Sequence, residues 1–298
     1  MKKRNSLIEL YRFILSINVI KSHAMFVYSG QYFGYGRLSV EFFFILSGYF
    51  LIRSIDKFIE YGYFKGLFKF FISKYKSIFG PLVIAMIFNT VHSILSGKSS
   101  IDIWIFLWYV QKLMIVSVVC FTLRYFIKDK KVFFLLILAG CIASNIVHIF
   151  PEFYERGIVR AYSSITIGML LSYIPRIKNI KGYWLWPVVI ILQIVCLYPS
   201  IFWSGKIYEY ILDMLLYPAL LYFTFHTNVH SKVLNYLGSL SFGIYAFQSI
   251  PLCFRNFWTL TNGQCFWIVL ATTILYDIIK RLIIKYRNNK RTKTLLNN

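Results

Sequence analysis

Apolar stretches long enough to cross a bilayer recur ten times along this chain, at roughly residues 7–28, 38–55, 79–96, 103–123, 132–150, 158–174, 183–201, 207–225, 236–257 and 264–284. A hydrocarbon core of about 30 Å takes roughly 20 helical residues. Inside it only helices and closed barrels satisfy every backbone N–H and C=O. Runs this long and this continuously apolar predict helices, so the expected fold class is all-α: a polytopic membrane protein of about ten transmembrane helices. The connections are short and no repeat or low-complexity linker interrupts them, so one membrane-embedded domain is expected over 1–298. Composition agrees, since 58% of the 298 residues are hydrophobic and only 15% are charged, outside the range of a soluble domain.

The placement of charge decides what the net +22 means. With the N-terminus inside, 25 of the 33 Lys and Arg fall on inner segments, six on outer ones, and Lys21 and Lys112 within spans. That asymmetry predicts both termini in the cytoplasm. It accounts for the basic balance without nucleic acid, and the basic tail, about 285–298, is expected to meet anionic lipid. The start, Met1 to Arg4, mimics a secretory leader. Glu9, Arg12 and Lys21 break the apolar run behind it and no cleavage site follows, so a retained first helix is expected. The five cysteines lie in apolar spans with no metal-ligand spacing, so packing is their expected role and no metal site is expected.

The first span carries Glu9, Arg12, Ser16 and His23. At about 100° and 1.5 Å per residue, Arg12 and His23 share a face about 16 Å apart, with Glu9 and Ser16 on the same side. Ionisable groups in a span face a partner or a protein-lined cavity, because lipid penalises them by a few kcal/mol each. The stripe therefore suits either helix–helix contact or a site. On the second span Glu41 stands at the outer end, and His23 is also in the outer half. A carboxylate near an imidazole would orient it and support its charged form, making a base–orienter dyad for an acceptor hydroxyl. The alternative partner for Glu41 is Arg37, four residues earlier.

Other intramembrane polar groups have two readings each. Glu209 and Asp213 could line a site for sugar hydroxyls or pair with Lys206; Lys112 is a buried counter-charge or a ligand contact. Asp277 and Arg281 are expected as an ion pair. His92, His148, His226 and His230 are expected at interfaces.

The ordered motifs resemble a family. Arg12 and His23 on the first span, then Val40-Glu41-Phe42-Phe43-Phe44-Ile45-Leu46-Ser47-Gly48-Tyr49-Phe50, look like the opening of the acyltransferase-3 family of integral membrane acyltransferases. Leu107-Trp108-Tyr109 follows, then Arg160 with Ile167-Gly168-Met169-Leu170-Leu171, then Leu237-Gly238-Ser239-Leu240-Ser241-Phe242-Gly243-Ile244-Tyr245. The resemblance runs from about residue 4 to about 255.

It implies an O-acyltransferase in the inner (plasma) membrane. The donor would be cytoplasmic acyl-CoA, most often acetyl-CoA, and the acceptor a hydroxyl of an outward-facing surface polysaccharide or its lipid-linked precursor. Arg12 would meet the donor's phosphates, and His23 would act as general base or transient acyl carrier, with Glu41 as its orienter. Lys74 and Lys76 stand where the family often has an Arg-x-x-Arg pair; lysine holds a phosphate as a point charge, without the bidentate fork. Trp108, Tyr109, Arg160, Glu209 and Asp213 are candidate acceptor contacts. Many members have His where this chain has Gln248, and an amide cannot transfer a proton near neutral pH. The competing class is a lipid or glycan transporter, for which a polar path and no thioester donor would be expected.

Overall fold

The computed structural model describes residues 5–29, 35–97, 103–149, 157–175, 185–197, 210–251 and 259–296. Every regular element among them is a helix, as the apolar runs predict. In chain order they are α1 (Ser6–Ser29), α2 (Tyr35–Ile59), α3 (Tyr63–Ser96), α4 (Ile103–Phe126), α5 (Lys130–Ile149), α6 (Gly157–Leu171) and α7 (Trp186–Leu197). A π-helical turn, Leu212–Leu216, leads into α8 (Tyr217–Thr224), followed by α9 (Lys232–Phe247) and α10 (Asn262–Leu296). The π-turn precedes Pro218, whose ring would clash with a carbonyl four residues back in a regular helix; the wider turn relieves that crowding.

Among the described residues, four helices are long and apolar enough to cross a membrane: Leu38–Ile59, Ile78–Ser96, Trp108–Phe126 and Lys130–Val147. The remaining expected spans are shorter apolar helices, such as Gly157–Leu171, or carry charges within the run, as α1 does at Glu9, Arg12 and Lys21. The membrane assignment rests on what the surface exposes. Only 17% of the Ile78–Ser96 and Lys130–Val147 windows is buried. Phe79, Ile87, Ile94, Leu95, Leu135 and Ile142 point outward. A contiguous apolar surface of this size needs a lipid partner.

Two close helix crossings organise the bundle. At Gly48 on α2 an added methyl group would fall on the Ile165 carbonyl of α6, and at Gly168 on α6 it would fall on the Ile45 carbonyl of α2. Only glycine lets the two backbones touch at both points, the small-residue device that packs helices where no hydrophobic force separates protein from solvent. The second crossing sets α1 against α9: a methyl at Gly238 would overlap Glu9, side chain and Cα alike. The starts of these helices are tied together, with Ser6 N–H donating to the Val229 carbonyl (3.0 Å) and Ser6 Oγ to Asn235 Oδ1 (3.0 Å). The two helices therefore run parallel from one end. Arg53 of α2, Lys74 of α3 and Lys280 of α10 gather at that same end, around a shared cavity with Asn5.

Candidate active site

The cavity, about 870 Å³, lies between α1, α2, α3, α4, α9 and α10. That volume suits a small organic ligand. From α1 it receives Ile8, Glu9 and Arg12, which helical spacing places on one face. Arg12 is fixed there: its Nη1 donates to Glu9 Oε2 at 2.8 Å, and Glu9 is held under α9 because Gly238 leaves it room. Arg12 keeps 28% of its side chain exposed, so part of the guanidinium fork faces the cavity. Lys74 of α3 lines the same cavity and is half-buried. It stands before the apolar window that begins at Ile78, and burial lowers its pKa to about 8. Lys76 is exposed and lies off the lining.

Away from the cations the wall becomes aromatic. Tyr109 of α4 packs against Phe44 (4.6 Å between ring centroids) and against Tyr245 of α9 (5.5 Å). Its hydroxyl shares a hydrogen bond with Ser47 (3.3 Å). Tyr109, Ser47, Phe43 and Tyr245 all line the cavity, so the Trp-Tyr pair splits: Tyr109 faces the cavity, whereas Trp108 lies off its lining, beside Arg160.

Glu41 takes a different partner from the ones the sequence suggests. Its carboxylate accepts from Arg160 Nη2 and from Ser164 Oγ, both on α6, in a buried cluster. Arg160 also lies 5.7 Å from the Trp108 ring. A guanidinium compensates a buried carboxylate far better than an imidazole does, since it stays charged at any relevant pH. The Gly48–Gly168 crossing is what brings α6 close enough to deliver it. The side chain of Arg37, the other expected partner, lies outside the described residues.

His23 is half-buried near the far end of α1 and is not on the cavity's described lining. Ser16, between it and Arg12, returns its hydroxyl to the Phe13 carbonyl at 2.7 Å. Among the described residues the structure thus joins Arg12, Lys74 and Tyr109 in one cavity and Glu41, Arg160 and Trp108 in one cluster, with His23 outside the cavity lining. Asp213 is half-buried on the π-turn, off the cavity, and Glu209 lies outside the described residues. Gln248 is fully buried with neither amide atom hydrogen-bonded. Asp277 and Arg281 form the expected pair at 2.6 Å.

Sequence reasoning left Arg53, Lys280 and His230 as inner-face or interfacial residues, yet all three line the cavity. Nothing local marks them; only the convergence of α2, α9 and α10 does. The Glu9–Arg12 pairing was readable from its spacing of three.

No curated protein and no solved structure matches the chain. A family model described as an acyltransferase domain, Acyl_transf_3, matches residues 5–280. That range takes in α1 through Lys280 and so every helix that lines the cavity. Since the match covers nearly the whole chain, the protein belongs to the acyltransferase-3 family and is a membrane acyltransferase.

Proposed function

We propose that this acyltransferase moves an acyl group, acetyl in the first instance, from cytoplasmic coenzyme A to a hydroxyl of an outward-facing surface polysaccharide or its lipid-linked precursor. The observation that carries the reading is the cavity itself: cations at one end, aromatic side chains beyond them. A thioester with a polyanionic head and a long neutral arm has that same division. Arg12, held by Glu9, meets a phosphate with its free edge. The arm runs along Tyr109 and Tyr245 toward the half of α1 that bears His23. There His23 accepts the acceptor hydroxyl's proton as the new O–C bond forms and the C–S bond breaks; the proton then goes to the leaving thiolate. Glu41 keeps Arg160 and α6 in place beside this path. The enzyme would sit in the plasma membrane, and the charge asymmetry of the sequence supports placing the cation-lined end inward.

NMR of the surface glycan from a deletion strain tests the reading. We expect O-acyl signals to be missing from it, restored by the wild-type gene and absent again with His23→Ala at normal protein level. An identical spectrum with and without the gene overturns the proposal and leaves non-covalent transport as the better account. Full acylation with His23→Ala removes the histidine from the chemistry.

A further inference from the structure

The cavity carries a charge excess that a transfer step alone does not require. Among the described residues four cations line it, Arg12, Arg53, Lys74 and Lys280, against one carboxylate, Glu9. Glu9 is already engaged with Arg12 at 2.8 Å. Among the described residues no carboxylate pairs with Arg53, Lys74 or Lys280. The four cations come from α1, α2, α3 and α10, so no within-helix pairing accounts for the grouping. They form two tiers. Arg12 and Lys74 are half-buried, while Arg53 and Lys280 are exposed. Past the inner tier the wall turns to Phe43, Tyr109, Leu113 and Tyr245. Such a site fits a multiply charged anionic head followed by a thin arm of low charge.

We infer that Arg53 and Lys280 form a subsite for a terminal phosphate monoester of the donor, the 3′-phosphate of coenzyme A, while Arg12 and Lys74 take the phosphates nearer the arm. The inference rests on the reading that the donor is an acyl-CoA. A phosphate monoester brings close to two charges and three acceptor oxygens near neutral pH. Arginine answers with a bidentate fork and lysine with a mobile point charge. The net three positive charges left after Glu9 face roughly four negative charges, about two on the 3′-phosphate monoester and about one on each phosphate of the pyrophosphate bridge. A lipid phosphodiester, with a single charge, leaves most of the tier unmatched.

The test compares acetyl-CoA with acetyl-3′-dephospho-CoA, binding each to the full-length protein in nanodiscs of neutral lipid. The wild type is expected to hold acetyl-CoA about tenfold more tightly, the size of one charge-assisted contact. Arg53→Gln and Lys280→Gln should each lose most of that preference while binding the dephospho donor within about twofold of wild type. Equal affinity of the two donors for the wild type, or an unchanged preference in both variants, overturns the subsite.

Nanodiscs containing anionic lipid separate the other source of phosphate. If such lipid displaces acetyl-CoA from the wild type but not from the two variants, the pair is a headgroup site and the inference fails. Failure of the donor reading is distinguishable: a wild type that binds neither thioester removes acyl-CoA itself, whereas a wrong subsite alone leaves the dephospho donor bound.

Discussion

At the level of single residues, Lys74 is a cavity cation whose charge is open to adjustment. It lies before the apolar window of α3, and burial lowers its pKa to about 8. The ammonium form attracts an anionic donor and the amine does not, so the pKa rises when the donor binds. Affinity should therefore be flat below about pH 8 and fall above it, by about fivefold between pH 8 and 9 for a single proton. The donor's phosphates are already ionised there, their second pKa being about 6, and cannot supply the slope. Donor binding measured across this range tests the point. Lys74→Arg should flatten the curve, because a guanidinium keeps its charge; an equally steep fall in that variant would acquit Lys74. The same scale shows what one sequence can reveal. Arg12 and Lys74 were readable as inner-end cations, and a common anion was a reasonable inference. The partner of Glu41 was not readable, since Arg160 stands 119 positions away. Position along the chain pointed instead to His23 and Arg37.

Among the elements, the α2–α6 crossing sets the Glu41–Arg160 cluster, and its two glycines lie off the cavity lining. Gly48 and Gly168 each meet a backbone carbonyl of the other helix, so neither contact can yield by a side-chain rotation. Gly48→Ala should push α6 away from α2 and cost about 2 kcal/mol in overpacking. It should cost more where Arg160 withdraws from Glu41, since a buried pair that loses one partner is strongly destabilising. Gly263→Ala is the fitting control, because a methyl group there meets nothing within 4 Å. Thermal unfolding in detergent should separate the two, with Gly48→Ala melting several degrees lower. Equal melting points would mean that the crossing is looser than its glycines indicate. The motifs around Gly48, Gly168 and Gly238 were visible as patterns. Their cause appears only when the helices are set side by side: one glycine pair seats Glu41 against Arg160, and Gly238 makes room for Glu9 to hold Arg12.

For the molecule as a whole, the charge asymmetry and the cavity make a joint demand. The basic residues that the sequence assigns to the inner side converge in space: Arg53, Lys74 and Lys280 line one end of one cavity. Lys130 reaches the same end of α2 as Arg53 through Asp56, at 4.0 Å, and Asp56 also holds Arg124 at 3.0 Å. Gly263 lies in the first turn of the last helix, 17 residues before Lys280, so about 25 Å separates the two levels. A cytoplasmic donor requires the cation-lined end to face inward. Single cysteines at Lys130 and Gly263, introduced after replacement of the native ones, report this directly. An impermeant thiol reagent should label Gly263→Cys on intact cells and Lys130→Cys only after permeabilisation. Both sites are exposed, so access depends on the membrane and not on folding. The four described native cysteines are buried, so conservative replacements there leave the labelled surface unchanged. The reverse pattern would place the cations outside, where no coenzyme A pool exists. The cavity would then have to serve an extracytoplasmic anion, and the route from inner thioester to outer hydroxyl along α1 would lose its starting point.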